Sequence, residues 1–223
     1  MKLSQSFSLA LAVSALSALP ALADVSAGFR VSTLGPGLDF TTSVVPDTLS
    51  FRINGNYFEY THDSSLSGVK YHEDLKLETA GFLGNWYPWQ NSFFLTAGGY
   101  ENTSKINVKA RSFNGNYNFN GATYSTTQAG TVAGKVKLGR EFAPYAGFGW
   151  GNPVGSSASW TFYGELGALF TGSPKLSLNS SGGTLSNDPT FKNNIEQERQ
   201  RDQSSVSWAD VYPVVAIGLA YKF

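Results

Sequence analysis

Residues 214–223 close the chain with VVAIGLAYKF. Val215, Ile217, Leu219, Tyr221 and Phe223 share one parity; Val214, Ala216, Gly218, Ala220 and Lys222 share the other. Successive residues of a strand point to opposite faces, so this period of two predicts a strand with one apolar face and one small or polar face. The same pattern opens the chain after residue 24. Val25, Ala27, Phe29 and Val31 alternate with Ser26, Gly28, Arg30 and Ser32. Leu38, Phe40 and Val44 alternate with Asp39, Thr41 and Ser43, and Leu49, Phe51, Ile53 and Tyr57 with Ser50, Arg52, Asn54 and Asn56. Phe162, Leu166 and Phe170 oppose Tyr163, Glu165 and Gly167.

Alternation alone fits two architectures. A soluble sandwich buries the apolar parity, whereas a membrane barrel turns it toward lipid and keeps the polar parity inside. Connection lengths separate them. The pattern predicts eight strands, near 25–33, 37–46, 48–60, 69–87, 91–103, 132–151, 158–172 and 206–223. Short turns fall at one end: Val45-Pro46-Asp47, Pro88 to Asn91 and Asn152 to Ser156. Connections at the other end grow to about 30 residues, the asymmetry of an outer-membrane barrel with short periplasmic turns and long extracellular loops. Strands of about ten residues suit a tilted membrane crossing. Nothing after residue 23 approaches the run of about 18 apolar residues that a membrane helix needs. The expected fold is all-β: an eight-stranded antiparallel up-and-down transmembrane β-barrel.

Aromatic residues cluster at the short-turn end. Trp86, Tyr87 and Trp89 sit at one turn, Trp150 and Trp160 flank another, and Tyr221 and Phe223 end the chain. Amphipathic rings concentrate at membrane–water interfaces. Composition narrows the function classes. Lys plus Arg and Asp plus Glu both number 16, giving no electrostatic case for nucleic-acid binding. The absence of Cys excludes disulfides, thiolate metal sites and a thiol nucleophile, and two His make a His-rich metal site improbable. No cofactor is expected.

Residues 1–23 read as a secretory leader. Lys2 precedes an apolar run from Phe7 to Leu19, and Ala21-Leu22-Ala23 matches a small-residue cleavage pattern. The rest of the chain, 24–223, is then the barrel, with long extracellular loops near 104–131 and 179–205. In the first loop, Asn114-Gly115 and Asn120-Gly121 between aromatics signal hairpins that extend strands above the membrane. The second ends in Lys192–Gln203, which has helical propensity and little apolar surface beyond Ile195, and reads as a solvated helical turn at the outer mouth.

Six charged residues within strands, Arg30, Asp39, Arg52, Lys76, Glu78 and Glu165, are expected to face the lumen. There they either fill the bore by pairing or contact a passing solute, and they are the candidate substrate-binding residues. In the fourth strand Lys76 and Glu78 share parity with Phe82 and Trp86, so this reading needs a bulge near Gly81. His62 and His72 flank Asp63, Ser64, Ser65 and Ser67, but the segment carries no distinctive nucleophile motif, oxyanion-hole signature or phosphate loop, so no enzyme is expected.

FAPYAGFGWG at 142–151, WTFYGELGALFTGSPKLSL at 160–178 and SWADVYPVVAIGLAYKF at 207–223, with the Glu/Arg-rich stretch from Glu196 to Asp202, resemble the CarO-type outer-membrane proteins, the carbapenem-associated, ornithine-uptake porin family. That resemblance implies a barrel in the outer membrane of a Gram-negative cell and passive uptake of small polar solutes such as amino acids. The competing reading is a non-conducting structural or adhesive barrel acting through its extracellular loops. A filled, fully paired lumen favours the second and a continuous polar path the first. The expected partners are outer-membrane lipid and lipopolysaccharide, the barrel-assembly machinery and small polar solutes.

Overall fold

The computed structural model describes residues 24–66, 69–112, 116–155, 157–206 and 210–223. The expected leader at 1–23 and the Asn114-Gly115 pair lie outside the described residues, as does Ser67. In chain order the strands are β1 (Val25–Ser32), β2 (Gly35–Val45), β3 (Leu49–Leu66), β4 (Val69–Trp86), β5 (Phe93–Asn102), β6 (Lys105–Ser112), β7 (Asn116–Phe119), β8 (Ala122–Ser125), β9 (Gly130–Lys137), β10 (Phe142–Trp150), β11 (Trp160–Leu169), β12 (Lys175–Gly182) and β13 (Tyr212–Lys222). A one-turn helix α1 (Thr126–Ala129) follows β8, and α2 (Pro189–Val206) precedes β13.

Eight of these strands close a ring in the order β4-β3-β2-β1-β13-β11-β10-β5, with β5 returning to β4. Every pairing is antiparallel, and the ends of the chain meet: Ser26 faces Lys222 and Ser32 faces Ala216. The side-chain distribution is that of a soluble protein turned inside out. Phe162 is 81% and Ile217 69% exposed on the outer wall, while Arg30 is 0% and Glu165 2% exposed within. A surface with that much contiguous apolar area is stable only against lipid. The barrel therefore spans a membrane, its wall formed by the apolar parity of each strand.

The aromatic girdle sits where the sequence places it. Trp89 packs at a tilt against Phe93 (5.0 Å), while Phe93 meets Trp150 (5.4 Å) and Trp160 meets Tyr221 (5.0 Å) edge to face, all at the short-turn end. Tyr87 departs from the expectation. Its parity turns it inward, where it is buried against Phe94 at the base of the lumen.

At the other end the wall does not stop at the membrane. β6 continues β5 along β4 in unbroken register, Thr79 facing Asn102 and Lys76 facing Lys105. β9 then pairs with β6, and β12 with β9. The single strand expected at 132–151 is thus two, β9 and β10. Between Lys137, opposite Lys105, and Phe142, opposite Glu101, this chain carries one residue more than its partner. That excess is a bulge, and Gly139 takes it up at φ 86°.

β7 and β8 form the hairpin predicted at Asn120-Gly121, whose φ values of 53° and 79° make the mirror-image turn that matches strand twist. The chain enters α2 through Asp188, whose carboxylate accepts from the Phe191 N–H (2.9 Å), and Pro189 opens the helix, where its missing N–H is harmless. α2 is not merely solvated. Phe191 and Ile195, four residues apart, share one side and pack with Tyr117, Phe119, Ala129 and Val132 into a small second core above the barrel.

Candidate functional site: the barrel lumen

Four of the six expected lumen charges meet inside. Arg30 on β1 lies 3.6 Å from Asp39 on the adjacent β2, and Arg52 on β3 forms an ion pair with Glu165 on β11. In the eight-strand ring β3 and β11 are four places apart, so Arg52 and Glu165 reach toward each other from opposite walls. Two tyrosines join the layer: the Tyr163 hydroxyl donates to Asp39 and the Tyr145 hydroxyl to Glu165, while the Arg30 guanidinium is buried with no hydrogen-bond partner. Two guanidinium groups balance two carboxylates. Without that balance, each charge would carry a desolvation penalty of several kcal/mol.

Lys76 and Glu78 are elsewhere, which corrects the expectation that they face the lumen. The β3–β4 ladder runs from Leu49 opposite Trp86 to Leu66 opposite Val69 without a register shift. With no bulge at Gly81, the pleat keeps both residues on the face of Phe82 and Trp86. They pair with each other outside the wall at 2.7 Å, and the Lys76 ammonium stands 5.5 Å from the centre of the Tyr57 ring.

From the ionic layer toward the long-loop end, the bore is stoppered by Leu34, Leu83, Tyr100, Ala143, Tyr145, Leu169 and Val214. Tyr100 and Tyr145 meet edge to face at 5.3 Å. Asn54 donates to the Tyr100 hydroxyl at 2.9 Å, which ties the stopper to the polar layer below. Leu34 comes from the β1–β2 turn, which is latched to β13 by Thr33 N–H to the Val215 carbonyl (3.0 Å) and the Tyr212 hydroxyl to the Thr33 carbonyl (2.8 Å). Below the charges lie Ser50, Asn85, Tyr87 and Phe94, with Asn85 donating to Ser50 at 3.2 Å.

Glycines make room for these rings. A Cβ on Gly218 would lie 2.2 Å from the Tyr163 ring, one on Gly167 2.1 Å from the Tyr145 hydroxyl, and one on Gly149 2.5 Å from Phe94. Large side chains seat on small ones across the bore, which is how an eight-stranded barrel fills itself. The space left beside Asp39, Arg52 and Tyr163 is about 10 Å³. That is room for a single water. Two larger concavities lie outside the bore: a groove of about 870 Å³ on the apolar wall and a cup of about 610 Å³ among the short turns.

Parity in the sequence gives the four charges and sets Tyr163 on the face of Glu165, but it does not give Tyr145. The pairing of Tyr145 with Glu165 depends on which strands are neighbours. The histidines stand on the β3–β4 hairpin above the wall, where His72 Nδ1 is 2.6 Å from Asp63 Oδ1 and His62 stacks on Tyr60.

No protein-family model matches this chain, nor does any curated protein. Among solved structures it superposes on the crystal structure of CarO2 from Acinetobacter baumannii with a TM-score of 0.56, at 22% identity over 90% of this chain and 98% of that one. This chain has the CarO fold. The crystal structure of CarO from the same organism agrees, with a TM-score of 0.56 at 20% identity over the same shares of the two chains. At this identity the CarO likeness concerns backbone architecture. The occupants of the lumen are read from this chain alone.

Proposed function

We propose that this chain is an outer-membrane barrel closed to solutes across its membrane section, and that it acts through the sheet-and-helix platform raised by β6–β9, β12 and α2. The carrying observation is the Arg52–Glu165 brace across the full width of the lumen, beneath the Tyr100–Tyr145 stopper. A solute on that path must break a buried ion pair and displace two packed rings. The CarO fold, the lipid-facing wall and the loop asymmetry support the outer membrane as its location, with the platform extracellular. No step of this reading calls for catalysis.

Uptake of small polar solutes is the second reading, and one observation favours it. Below the Tyr100–Tyr145 layer the side chains that fill the lumen are largely polar down to the short-turn end, as the lining of a solute path would be. Swelling of liposomes carrying the refolded chain decides between them, with ornithine, a neutral amino acid and a sugar of similar size as solutes. The closed reading expects swelling no faster than in empty liposomes. Selective acceleration overturns it and establishes uptake, the ranking of solutes giving the lumen's preference.

A further inference from the structure

Where the wall leaves the membrane, strand register lines up like charges. Lys76 faces Lys105, Lys105 faces Lys137, and Lys137 faces Lys175, so four lysines form one row across β4, β6, β9 and β12. Like charges directly opposite on neighbouring strands repel, and strands are about 4.8 Å apart, so a row about 14 Å long is unfavourable without counter-charge. The protein supplies part of it. Glu78 pairs with Lys76, Glu141 lies 3.8 Å from Lys137, and Glu59 faces Lys76. Among the described residues, no carboxylate lies within 4 Å of Lys105 or Lys175.

The face continues upward with more cation than anion. Its next row is Asp74, Asn107, Lys135 and Ser177, and the one above is His72, Lys109, Ala133 and Asn179. Across these two rows lies a concavity of about 430 Å³, lined by Lys109, Lys135 and His72, by the single carboxylate Asp74, and by the small residues Ala133 and Gly134. By strand parity this is the face that carries Tyr57 and Phe142 lower down, on the lipid side of the wall. The lysine row lies two residues beyond the Tyr57–Glu78 row, about 7 Å along the strand.

We propose that the Lys105–Lys137–Lys175 row and the concavity above it bind the phosphate groups of an outer-leaflet saccharolipid headgroup. The lipid's acyl chains would lie against the apolar wall lower down, past the row that holds Glu78 and the row that holds Glu101. The inference rests on the outer-membrane reading, which puts a phosphate-bearing leaflet at this end of the barrel.

The test uses the full refolded chain in uncharged-detergent micelles and measures binding of lipid A carrying two phosphates and of the same lipid dephosphorylated. Lysine near an anionic surface strengthens binding roughly fivefold per residue, so Lys105→Gln/Lys137→Gln/Lys175→Gln is expected to weaken binding of the phosphorylated lipid on the order of a hundredfold. Lys105→Arg/Lys137→Arg/Lys175→Arg is expected to retain it, dephosphorylated lipid to bind weakly to every form, and added salt to reduce the difference. Heat-modifiable gel migration reports that each variant is folded. Equal binding of the two lipids by the unsubstituted chain overturns the proposal, as does a folded Gln variant of unchanged affinity. Displacement of the lipid by millimolar inorganic phosphate also overturns it, in favour of a free-anion site. If the Gln variant does not fold, the two-lipid comparison and the Arg variant still decide. None of these lysines enters the lumen, so swelling experiments fail or succeed independently.

Discussion

Replacing Glu165 with Gln tests the closed lumen at its centre. Glu165 is 2% and Arg52 3% exposed, and the carboxylate accepts from both Arg52 and Tyr145. Gln keeps the shape and can still accept from Tyr145, but leaves the Arg52 guanidinium charged and without its directly paired carboxylate. Removing one member of a buried ion pair typically destabilises by about 3–5 kcal/mol, and Arg52→Met is expected to cost a similar amount by stranding the carboxylate. The double variant Arg52→Met/Glu165→Gln removes both charges, and its expected loss is about 1–2 kcal/mol, less than either single change. The assay is urea unfolding in lipid vesicles, followed by tryptophan fluorescence with gel migration as a second probe. Single losses below about 1 kcal/mol that add in the double variant would refute the reasoning, because that is the behaviour of a hydrated pair. A hydrated pair at this depth would mean that water threads the bore.

Tyr100→Ala/Tyr145→Ala removes both rings of the stopper and is expected to produce channel events in planar bilayers where the unsubstituted chain gives none; silence from a folded double variant would show that the charged layer alone seals the bore. Gly218→Ala drives a methyl into the Tyr163 ring and should cost about 1–3 kcal/mol in the urea assay, whereas the same change at Gly55, which has open space around it, should not. Phe191→Ala empties the second core and should expose α2 to limited proteolysis while the barrel keeps its heat-modifiable migration; equal protection would show that the helix is held by its polar contacts. On α2, hydrogen bonds from Arg199 and Gln200 pull the Glu196 carboxyl down to about 2. A folded-state depression stabilises above the unfolded value and is lost as pH falls through the folded one, so the Glu196–Arg199 bridge should survive at pH 3. Carboxyl NMR gives the midpoint, and a value in the ordinary glutamate range rejects it.

Parity carried most of the barrel, because a period of two assigns every residue of a strand to a face once a single one is known. β13 shows this, with each of Val215, Ile217 and Leu219 on the wall as read. Parity failed where continuity had to be judged. For β4 a bulge was invoked to bring Lys76 and Glu78 inside, and the unbroken ladder left them out. For 132–151 no bulge was invoked, and one was present at 138–141. A bulge is one residue against a partner strand, so it becomes visible only when the partner is known. The same limit hid the lysine row, whose members are separated by tens of residues in the chain and aligned only by register. Phe191 has no local signal: it stands just before the polar segment 192–203, and its packing partners Tyr117 and Phe119 lie some seventy residues earlier.

The brace across the lumen has a bearing on assembly order. Arg30 finds Asp39 as soon as the first hairpin forms, but Arg52 and Glu165 are 113 positions apart and stand on walls that face each other only in a finished ring. That ring closes when β13 reaches β1, so the last strand of the chain decides when the charges can leave water. An unclosed inner face stands open to water, so ring closure and burial of these charges are expected to coincide, and burial without the ion pair would be strongly uphill. A chain cut before Tyr212 is therefore expected to remain an open sheet that holds its water, not to settle into a narrower barrel.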